Sequence, residues 1–151
     1  MIKKIISGAQ TGADRAGIDA AIESGVEYGG WLPKGRKSED GTVPEKYTKL
    51  QEMTRGGYPK RTEQNVIDSD GTVIFTYGKL TTGSALTRKF ANQHKKPCLH
   101  IDLDIIKDPV SVIKDWTIEW DIKVLNVAGR SASKAPGIYG QVKDIINQIL
   151  R

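Results

Sequence analysis

The fold of this chain is decided by the stretch Ile5-Ile6-Ser7-Gly8-Ala9-Gln10-Thr11-Gly12-Ala13-Asp14-Arg15. The apolar run over residues 2–6 predicts a strand buried on both faces, and Gly8 then opens a small polar loop. A helix is expected to begin at Thr11 or Gly12. Because a strand, a glycine loop and a helix in this order direct free backbone N–H groups at an anion, the stretch predicts an anion site. Gly8 and Gly12 would let the main chain approach the ligand.

Two side chains of this stretch, Thr11 and Asp14, have two open interpretations. They are candidates for ligand binding, but their spacing also fits a capping box that would only satisfy the first N–H groups of the helix. The loop is not a P-loop, since no Gly-Lys-Ser/Thr follows, and it lacks the G-x-G-x-x-G spacing. ATPase chemistry and ordinary dinucleotide binding are therefore disfavoured.

The composition predicts one soluble domain over residues 1–151, in a reducing compartment such as the cytoplasm. Cys98 is the only cysteine, so neither a disulfide framework nor a thiolate zinc site is expected. No apolar stretch approaches the ~20 residues of a membrane span, and no secretory signal is visible. The net charge of +5, from 23 basic and 18 acidic residues, suits a small anionic ligand. Nucleic acid is less favoured, because no basic stripe interleaved with aromatic residues is present.

Strands and helices alternate along the rest of the chain. Strands are predicted over residues 26–31, 72–77, 98–102 and 124–127, and helices over 13–24, 59–66 and 83–93, with two more opened by Asp108-Pro109 and Pro136. This alternation predicts an α/β fold whose mainly parallel sheet carries helices on both faces. Trp116 and Trp120 have the spacing of core residues in the fourth helix.

Two further junctions repeat the arrangement of the first. One is Gly78-Lys79-Leu80-Thr81-Thr82-Gly83-Ser84-Ala85-Leu86-Thr87, and the other begins at Ala128-Gly129 and continues through Arg130 to Tyr139. The hydroxyls and N–H groups of the second junction suit a phosphate or a carbonyl-rich ring. In the third, Ser133 either binds ligand or only caps the last helix. Since ligands of open α/β sheets bind outside the carboxyl ends of the strands, all three junctions are expected at one ligand site.

Basic residues outside the three glycine junctions are further candidates for ligand binding. The loop over residues 33–46 begins with Lys34-Gly35-Arg36 at the end of the second strand, which favours a role in binding an anion. Its acidic half, Glu39-Asp40, is interpreted as solvated surface. In the second helix Arg61, Asn65 and Asp68 share one face, which is either a binding face or the solvent-exposed side.

Together these motifs resemble one known family, the molybdenum-cofactor carrier proteins. The resemblance covers nearly the whole chain and is carried by Ser7-Gly8-Ala9-Gln10-Thr11-Gly12-Ala13-Asp14-Arg15, Gly30-Trp31-Leu32-Pro33-Lys34-Gly35-Arg36, Glu39-Asp40-Gly41, Arg61-Thr62-Glu63-Gln64-Asn65-Val66, Thr82-Gly83-Ser84-Ala85-Leu86-Thr87, Pro97-Cys98-Leu99-His100 and Leu125-Asn126-Val127-Ala128-Gly129. It implies a Rossmann-like three-layer domain that binds the phosphate-bearing molybdenum cofactor (molybdopterin) without catalysis, as a homo-oligomer. The resemblance implies a phosphate-bearing small molecule as the partner and no association with a membrane.

The same superfamily includes nucleotide phosphoribohydrolases once labelled lysine decarboxylases, and these provide the alternative function. Their second glycine loop is followed by acidic residues, whereas here Gly83-Ser84 is followed by Ala85-Leu86-Thr87. An oxocarbenium-like transition state would lack its carboxylate there, so a hydrolase ranks second, with Asp14, Glu39 and Asp70 as its candidate acids. A nucleotide-binding module without turnover is a third possibility. No metal ligand is predicted, and the candidate ligand-binding residues are Gly8, Gln10, Thr11, Gly12, Asp14, Arg15, Lys34, Gly35, Arg36, Arg61, Asn65, Thr82, Gly83, Ser84, Thr87, Ser133 and Lys134.

Overall fold

Five parallel strands form the central sheet in a computed structural model that describes all 151 residues. The strands of the chain are β1 (Lys4–Ile6), β2 (Glu27–Gly29), β3 (Trp31–Leu32), β4 (Lys37–Ser38), β5 (Gly41–Thr42), β6 (Gln51–Glu52), β7 (Gly71–Thr76), β8 (Cys98–Asp102) and β9 (Val124–Gly129). The central sheet has the order β2-β1-β9-β7-β8, so the strand that comes last in the chain lies at its centre. Of the remaining strands, β3 pairs with β6 in parallel and β4 with β5 as an antiparallel hairpin.

Helices cover both faces of this sheet. They are α1 (Ala13–Glu23), α2 (Tyr58–Ile67), α3 (Thr82–Gln93), α4 (Pro109–Glu119) and α5 (Ile138–Leu150), with one 3-10 turn at Lys34–Arg36. On one face α5 packs against α1 and α4, and on the other α2 packs against α3. The chain moves outwards in opposite directions from β1 to β2 and from β7 to β8, so right-handed crossovers place α1 and α3 on opposite faces. The predicted Rossmann-like three-layer α/β fold is confirmed. None of the five helices has the length and apolar character needed to cross a bilayer.

The core follows from the sequence pattern. All six residues of β7 are buried, as expected of a central parallel strand. In α5 the buried residues Ile138, Val142, Ile145 and Ile149 recur at helical spacing. Small residues let α1 lie close to the sheet, since a Cβ atom on Gly17 would come within 2.8 Å of the Val127 Cβ.

Several local predictions were wrong. The strand predicted over residues 26–31 is two strands, because Gly30, at φ +138°, turns the chain out of the central sheet. The helix predicted to open at Pro136 begins at Ile138, after Gly137 in the left-handed region. Trp120, expected in the core, is 55% exposed, while Trp116 packs against the core as expected.

The two helix caps predicted for the site are also absent. Gly12 is the N-cap residue of α1 and no side chain caps this helix, so Thr11 and Asp14 do not form a capping box. No side chain caps α5, and Ser133 instead bonds to Glu39. In α3 a capping box does form, between Thr81 and Ser84. Thr11, Asp14 and Ser133 are therefore engaged in other interactions.

Candidate functional site

The three glycine junctions meet at one cleft of about 390 Å³ at the carboxyl edge of the sheet. The parallel strands β1, β7 and β9 are neighbours, so the loops that leave their carboxyl ends converge there. The candidates that line the cleft are Gly8, Gln10, Thr11, Asp14, Arg61, Asn65, Thr82, Gly83, Ser84, Thr87 and Lys134. The candidates that do not are Gly12, Arg15, Lys34, Gly35, Arg36 and Ser133.

The first junction is shaped around Arg61. Ser7 Oγ accepts the Ala9 N–H at 2.9 Å and donates to the Asp14 carbonyl at 2.7 Å, which folds the loop back on the start of α1. The Arg61 guanidinium lies directly against Gly8, where any Cβ atom would collide with Nη1. Gly8 thus allows the close approach of a cation on α2.

Arg61 and Asp14 form a buried ion pair at the cleft. Arg61 Nη1 lies 3.7 Å from Asp14 Oδ2, and the two side chains are only 11% and 9% exposed. This pair is loose, since the distance exceeds that of a charge-assisted hydrogen bond. Arg61 Nε is buried without any hydrogen-bond partner. A buried guanidinium nitrogen left unpaired is costly, so the protein alone does not complete the hydrogen bonding of Arg61.

Burial also changes the ionisation of the pair. Desolvation raises the pKa of the Asp14 carboxyl to about 6, although Arg61 and the N–H of Gln10 act in the opposite direction. Desolvation likewise lowers the pKa of the Arg61 guanidinium, and Asp14 partly offsets this. Asp14 therefore changes charge near pH 6 beside the Arg61 guanidinium.

The free N–H groups expected at the start of α1 are not all free. The Ala13 N–H donates to the Arg130 carbonyl at 3.1 Å. The backbone N–H groups of Gln10 and Gly129 face the Asp14 carboxyl. The chain's own acceptors thus occupy donors that the sequence pattern had assigned to a ligand.

The second junction offers its N–H groups to the cleft. The Thr81 N–H is taken by Ser84 Oγ at 2.8 Å, whereas the N–H groups of Thr82 and Gly83 have no acceptor in the protein. Gly83 has open space on its Cβ side. Arg130 Nη1 donates to Thr81 Oγ1 at 2.5 Å and so brings a second cation to this end of α3. The amino end of a helix and an adjacent guanidinium both favour an anion here.

The hairpin of residues 37–42, β4 and β5 with the turn between them, is bonded to the first and third junctions beside the cleft. Asp40 accepts a 2.8 Å hydrogen bond from Arg15, which lowers the pKa of this carboxyl to about 2. Gln10 Nε2 donates to the Lys37 carbonyl at 3.0 Å. Glu39 accepts from the hydroxyls of Thr11 and Ser133. The acidic half of this loop is exposed, as expected of solvated surface, but its two carboxylates are also hydrogen-bonded to the body of the domain.

The basic half of the same loop points elsewhere. The Arg36 guanidinium donates to the carbonyls of Val43 at 3.3 Å and Pro44 at 2.9 Å, which holds the 3-10 turn. Lys34 and Gly35 are exposed on that turn. The geometry gives Arg36 a structural role.

Asn65 is likewise committed to the scaffold. Its side chain accepts the Trp31 N–H at 2.7 Å and donates to the Trp31 carbonyl at 3.2 Å, so that α2 is fixed to β3. Asp68 accepts from Trp31 Nε1 at 2.9 Å. Of the three residues predicted on one face of α2, Arg61 is the one with a polar group left for a ligand.

The structure adds cleft residues that were not among the candidates. They include Tyr58, Thr81, Asn126, Arg130 and Ser131. The signal for Arg130 was its place directly after a strand and Gly129, as for the other junctions. Tyr58, whose ring centre lies 5.5 Å from the Arg61 guanidinium, gave no comparable signal.

A smaller cavity adjoins the hairpin and is lined by Gly12 and Arg15, among others. In it Asp19 accepts hydrogen bonds from the hydroxyls of Tyr47 and Tyr139. Burial, followed by these bonds to Asp19, raises the pKa of both tyrosines. The three side chains satisfy one another and hold α1 to α5.

The carboxylates and histidines of the chain are dispersed over the structure. No three His, Cys, Asp or Glu side chains cluster anywhere in the structure. Among the candidate acids of a hydrolase, Asp70 accepts the N–H groups of Lys123 and Val124, at the amino edge of the sheet and away from the cleft. Asp14 is thus the carboxyl that the cleft presents.

Comparison with known proteins agrees with this architecture. A family described as "Circularly permutated YpsA SLOG family" matches residues 5–150. A crystal structure from Syntrophus aciditrophicus, described as a putative molybdenum carrier protein, is 56% identical, with a TM-score of 0.95 over 99% of this chain and 96% of that one. No curated protein matches the sequence. The family resemblance inferred from the sequence is confirmed.

Proposed function

This chain belongs to the circularly permutated YpsA SLOG family, and from that premise we propose that it binds and carries a phosphate-bearing small molecule. The cargo proposed is the molybdenum cofactor, molybdopterin, held without chemical change. A 56% identical protein described as a putative molybdenum carrier supports this choice of cargo.

The observation that carries the proposal is the unsatisfied Arg61. Its side chain is 11% exposed and lines the cleft, makes one loose contact with Asp14 and keeps Nε buried without a partner. A phosphate oxygen would complete its hydrogen bonding, and an arginine–phosphate contact is among the strongest that a protein forms. The free N–H groups of Thr82 and Gly83 add further donors for the same anion.

The size and walls of the cleft also suit a ring system. Its volume of about 390 Å³ lies in the range of small-molecule sites. Tyr58 is 44% exposed at the cleft and offers an aromatic surface next to the Arg61 guanidinium. A pterin attached to the phosphate could stack there.

A nucleotide hydrolase is the second candidate, favoured by one observation, the pKa of about 6 at the buried Asp14 carboxyl. Glycoside hydrolysis ordinarily needs two carboxyl groups around the scissile bond. The other nearby carboxylate, Glu39, is held by Thr11 and Ser133. The cleft therefore supports binding better than bond cleavage.

Two measurements test this proposal. Mass spectrometry of small molecules released from the native protein is expected to find a pterin phosphate, and added molybdopterin should be recovered unchanged. Purine and pyrimidine monophosphates should yield no free base when analysed by chromatography. Base release by the wild type that is lost in Asp14→Asn would show that the protein is a hydrolase and not a carrier.

The family resemblance also implies a homo-oligomer. Ile118 and Trp120 at the end of α4 are 75% and 55% exposed, and a second copy of the chain is proposed to cover them. Analytical ultracentrifugation should then show a dimer or higher oligomer, and Ile118→Lys should dissociate it. A monomer at micromolar concentration would contradict this part of the proposal.

A further inference from the structure

The tip of the 37–42 hairpin places a carboxylate in a ready-made anion cradle. Glu39 Oε1 accepts from the Thr11 hydroxyl and from the Ser133 N–H at 3.2 Å. Oε2 accepts from the Ser133 hydroxyl at 2.5 Å. Both carboxylate oxygens are thus bound by neutral donors of the body, while the Glu39 side chain itself comes from an exposed hairpin.

The cradle is held together by bonds that do not involve the hairpin. Thr11 Oγ1 accepts the Ala132 N–H at 3.2 Å, and the Ala13 N–H binds the Arg130 carbonyl at 3.1 Å. A Cβ atom on Gly12 would come within 2.8 Å of the Ala132 nitrogen, so the two loops are in close contact. The donors would therefore keep their positions if Glu39 moved away.

The cradle is continuous with the cleft. Thr11 holds Glu39 and also lines the cleft that contains Arg61, as do Ser131 and Lys134 on the other loop. The hydrogen bonds from Ser133 and Thr11 lower the pKa of the Glu39 carboxyl, so its anionic form is the one bound. Three donors that hold an internal anion at the side of a phosphate site can equally hold an anionic group of a ligand.

We propose that this cradle is a second anion subsite and that Glu39 is its tethered occupant. A ligand with two phosphoryl groups places one against Arg61 and the other between Thr11 and Ser133. Glu39 is then expelled and the hairpin released. This inference rests on the proposed function, since it assumes that the Arg61 end of the cleft takes a phosphate. The ligand class it selects bears a diphosphate in preference to a monophosphate, so it narrows the proposed pterin phosphate to a pterin diphosphate.

The test compares inorganic pyrophosphate with inorganic phosphate by calorimetry on four proteins. Glu39→Ala should bind pyrophosphate at least about tenfold more tightly than wild type, because the competing carboxylate is gone, whereas phosphate affinity should change less than about threefold. Glu45→Ala is the matched control, since it removes the same charge from an exposed site in the same loop. Ser133→Ala added to Glu39→Ala should reverse the gain.

A second readout follows the hairpin itself. Hydrogen exchange of the Lys37–Thr42 amides should accelerate when pyrophosphate binds to wild type and should not accelerate with phosphate. Pyrophosphate affinity unchanged by Glu39→Ala, or a gain shared equally by Glu45→Ala, would overturn the inference. If phosphate binding still depends on Arg61 in that case, only the second subsite fails. If neither anion binds to wild type, the proposed function fails with it.

Discussion

Arg61 Nη1 lies 3.7 Å from Asp14 Oδ2, which is close enough for attraction but too far for a good hydrogen bond. Each side chain is buried, and neither fully satisfies the other. Buried ion pairs are stabilising only when further hydrogen bonds complete them. The pair is therefore better explained as half of a binding site than as a stabilising element.

Removing Arg61 should abolish most anion binding. A charge-assisted contact is worth about 1.5–3 kcal/mol, so Arg61→Gln should weaken inorganic phosphate binding by roughly ten- to a hundred-fold. Because this change leaves Asp14 buried without its cation, Arg61→Gln with Asp14→Asn serves as a second variant. Lys60→Gln is the control, since Lys60 is an exposed cation on the same helix. Equal affinities of all four proteins in calorimetry would place the anion site elsewhere.

Two glycines of the site should respond differently to substitution. Gly83→Val should fold and lose phosphate binding, because its Cβ side is open and Gly83 lines the cleft next to free N–H groups. Gly12→Val should instead fail to fold stably, since Gly12 has φ +84° and a Cβ atom there would collide with the Arg130 carbonyl. Melting curves with and without phosphate distinguish the two effects. A Gly83→Val protein that is stabilised by phosphate as strongly as wild type would contradict the prediction.

Ionisation of the Asp14 carboxyl should lower the free energy of unfolding as the pH rises. Its pKa is about 6 in the folded chain against an ordinary 3.8, so the folded state binds more protons over that interval. Stability linked to Asp14 is therefore lost between about pH 4 and pH 6. Relative to wild type, Asp14→Asn should gain about 2 kcal/mol of unfolding free energy between about pH 4.5 and pH 7.5, measured by urea unfolding.

Asp40 provides the control for that experiment. Its pKa is lowered to about 2, chiefly by the hydrogen bond from Arg15. The contribution of Asp40 to the free energy of unfolding is therefore complete above its ordinary pKa and is lost only as the pH falls towards 2. The difference between Asp40→Asn and wild type should stay nearly constant from about pH 5 upwards. If the difference between Asp14→Asn and wild type varied as little with pH, the pKa of Asp14 would not be perturbed in the folded protein.

Lys34 and Arg36 should affect the hairpin more than the ligand. Neither lines the cleft, and Arg36 is bound to the carbonyls of Val43 and Pro44. Lys34→Gln should change phosphate affinity less than about twofold, as expected of an exposed and screened charge. Arg36→Gln should speed hydrogen exchange of the Lys37–Thr42 amides, measured by mass spectrometry. A tenfold loss of affinity in Lys34→Gln would restore the binding role expected from the sequence.

The sequence was informative wherever the cause of a structure is local. The strand over residues 98–102 was predicted with its observed ends, and the helix that begins at Pro109 was recognised from Asp108-Pro109. Three repeats of strand, glycine loop and helix predicted which loops line one cleft. These features depend on hydrophobic periodicity and turn chemistry, which neighbouring residues encode.

What the sequence did not show depends on contacts between distant residues. Glu39 bonds to Ser133 across 94 positions, and no periodicity links two such residues. The Asp14 carboxyl faces the N–H groups of Gln10 and Gly129, which the strand–loop–helix pattern assigned to a ligand. Gly129 belongs to β9, and its position beside α1 follows from the strand order of the sheet. Trp120 had core spacing yet lies just past the end of α4, where the helical face no longer meets the sheet.

The position of β9 has a consequence for how the protein is made. This strand is the last of the sheet to leave the ribosome, yet it separates β1 from β7 and supplies Arg130, whose carbonyl anchors the start of α1. Until it emerges, β1–β2 and β7–β8 are two half-sheets with open inner edges, which are prone to pair with other chains. The cleft cannot exist in such a nascent chain. Any ligand of the cleft can therefore bind only after synthesis has passed Gly129, so binding requires the completed fold.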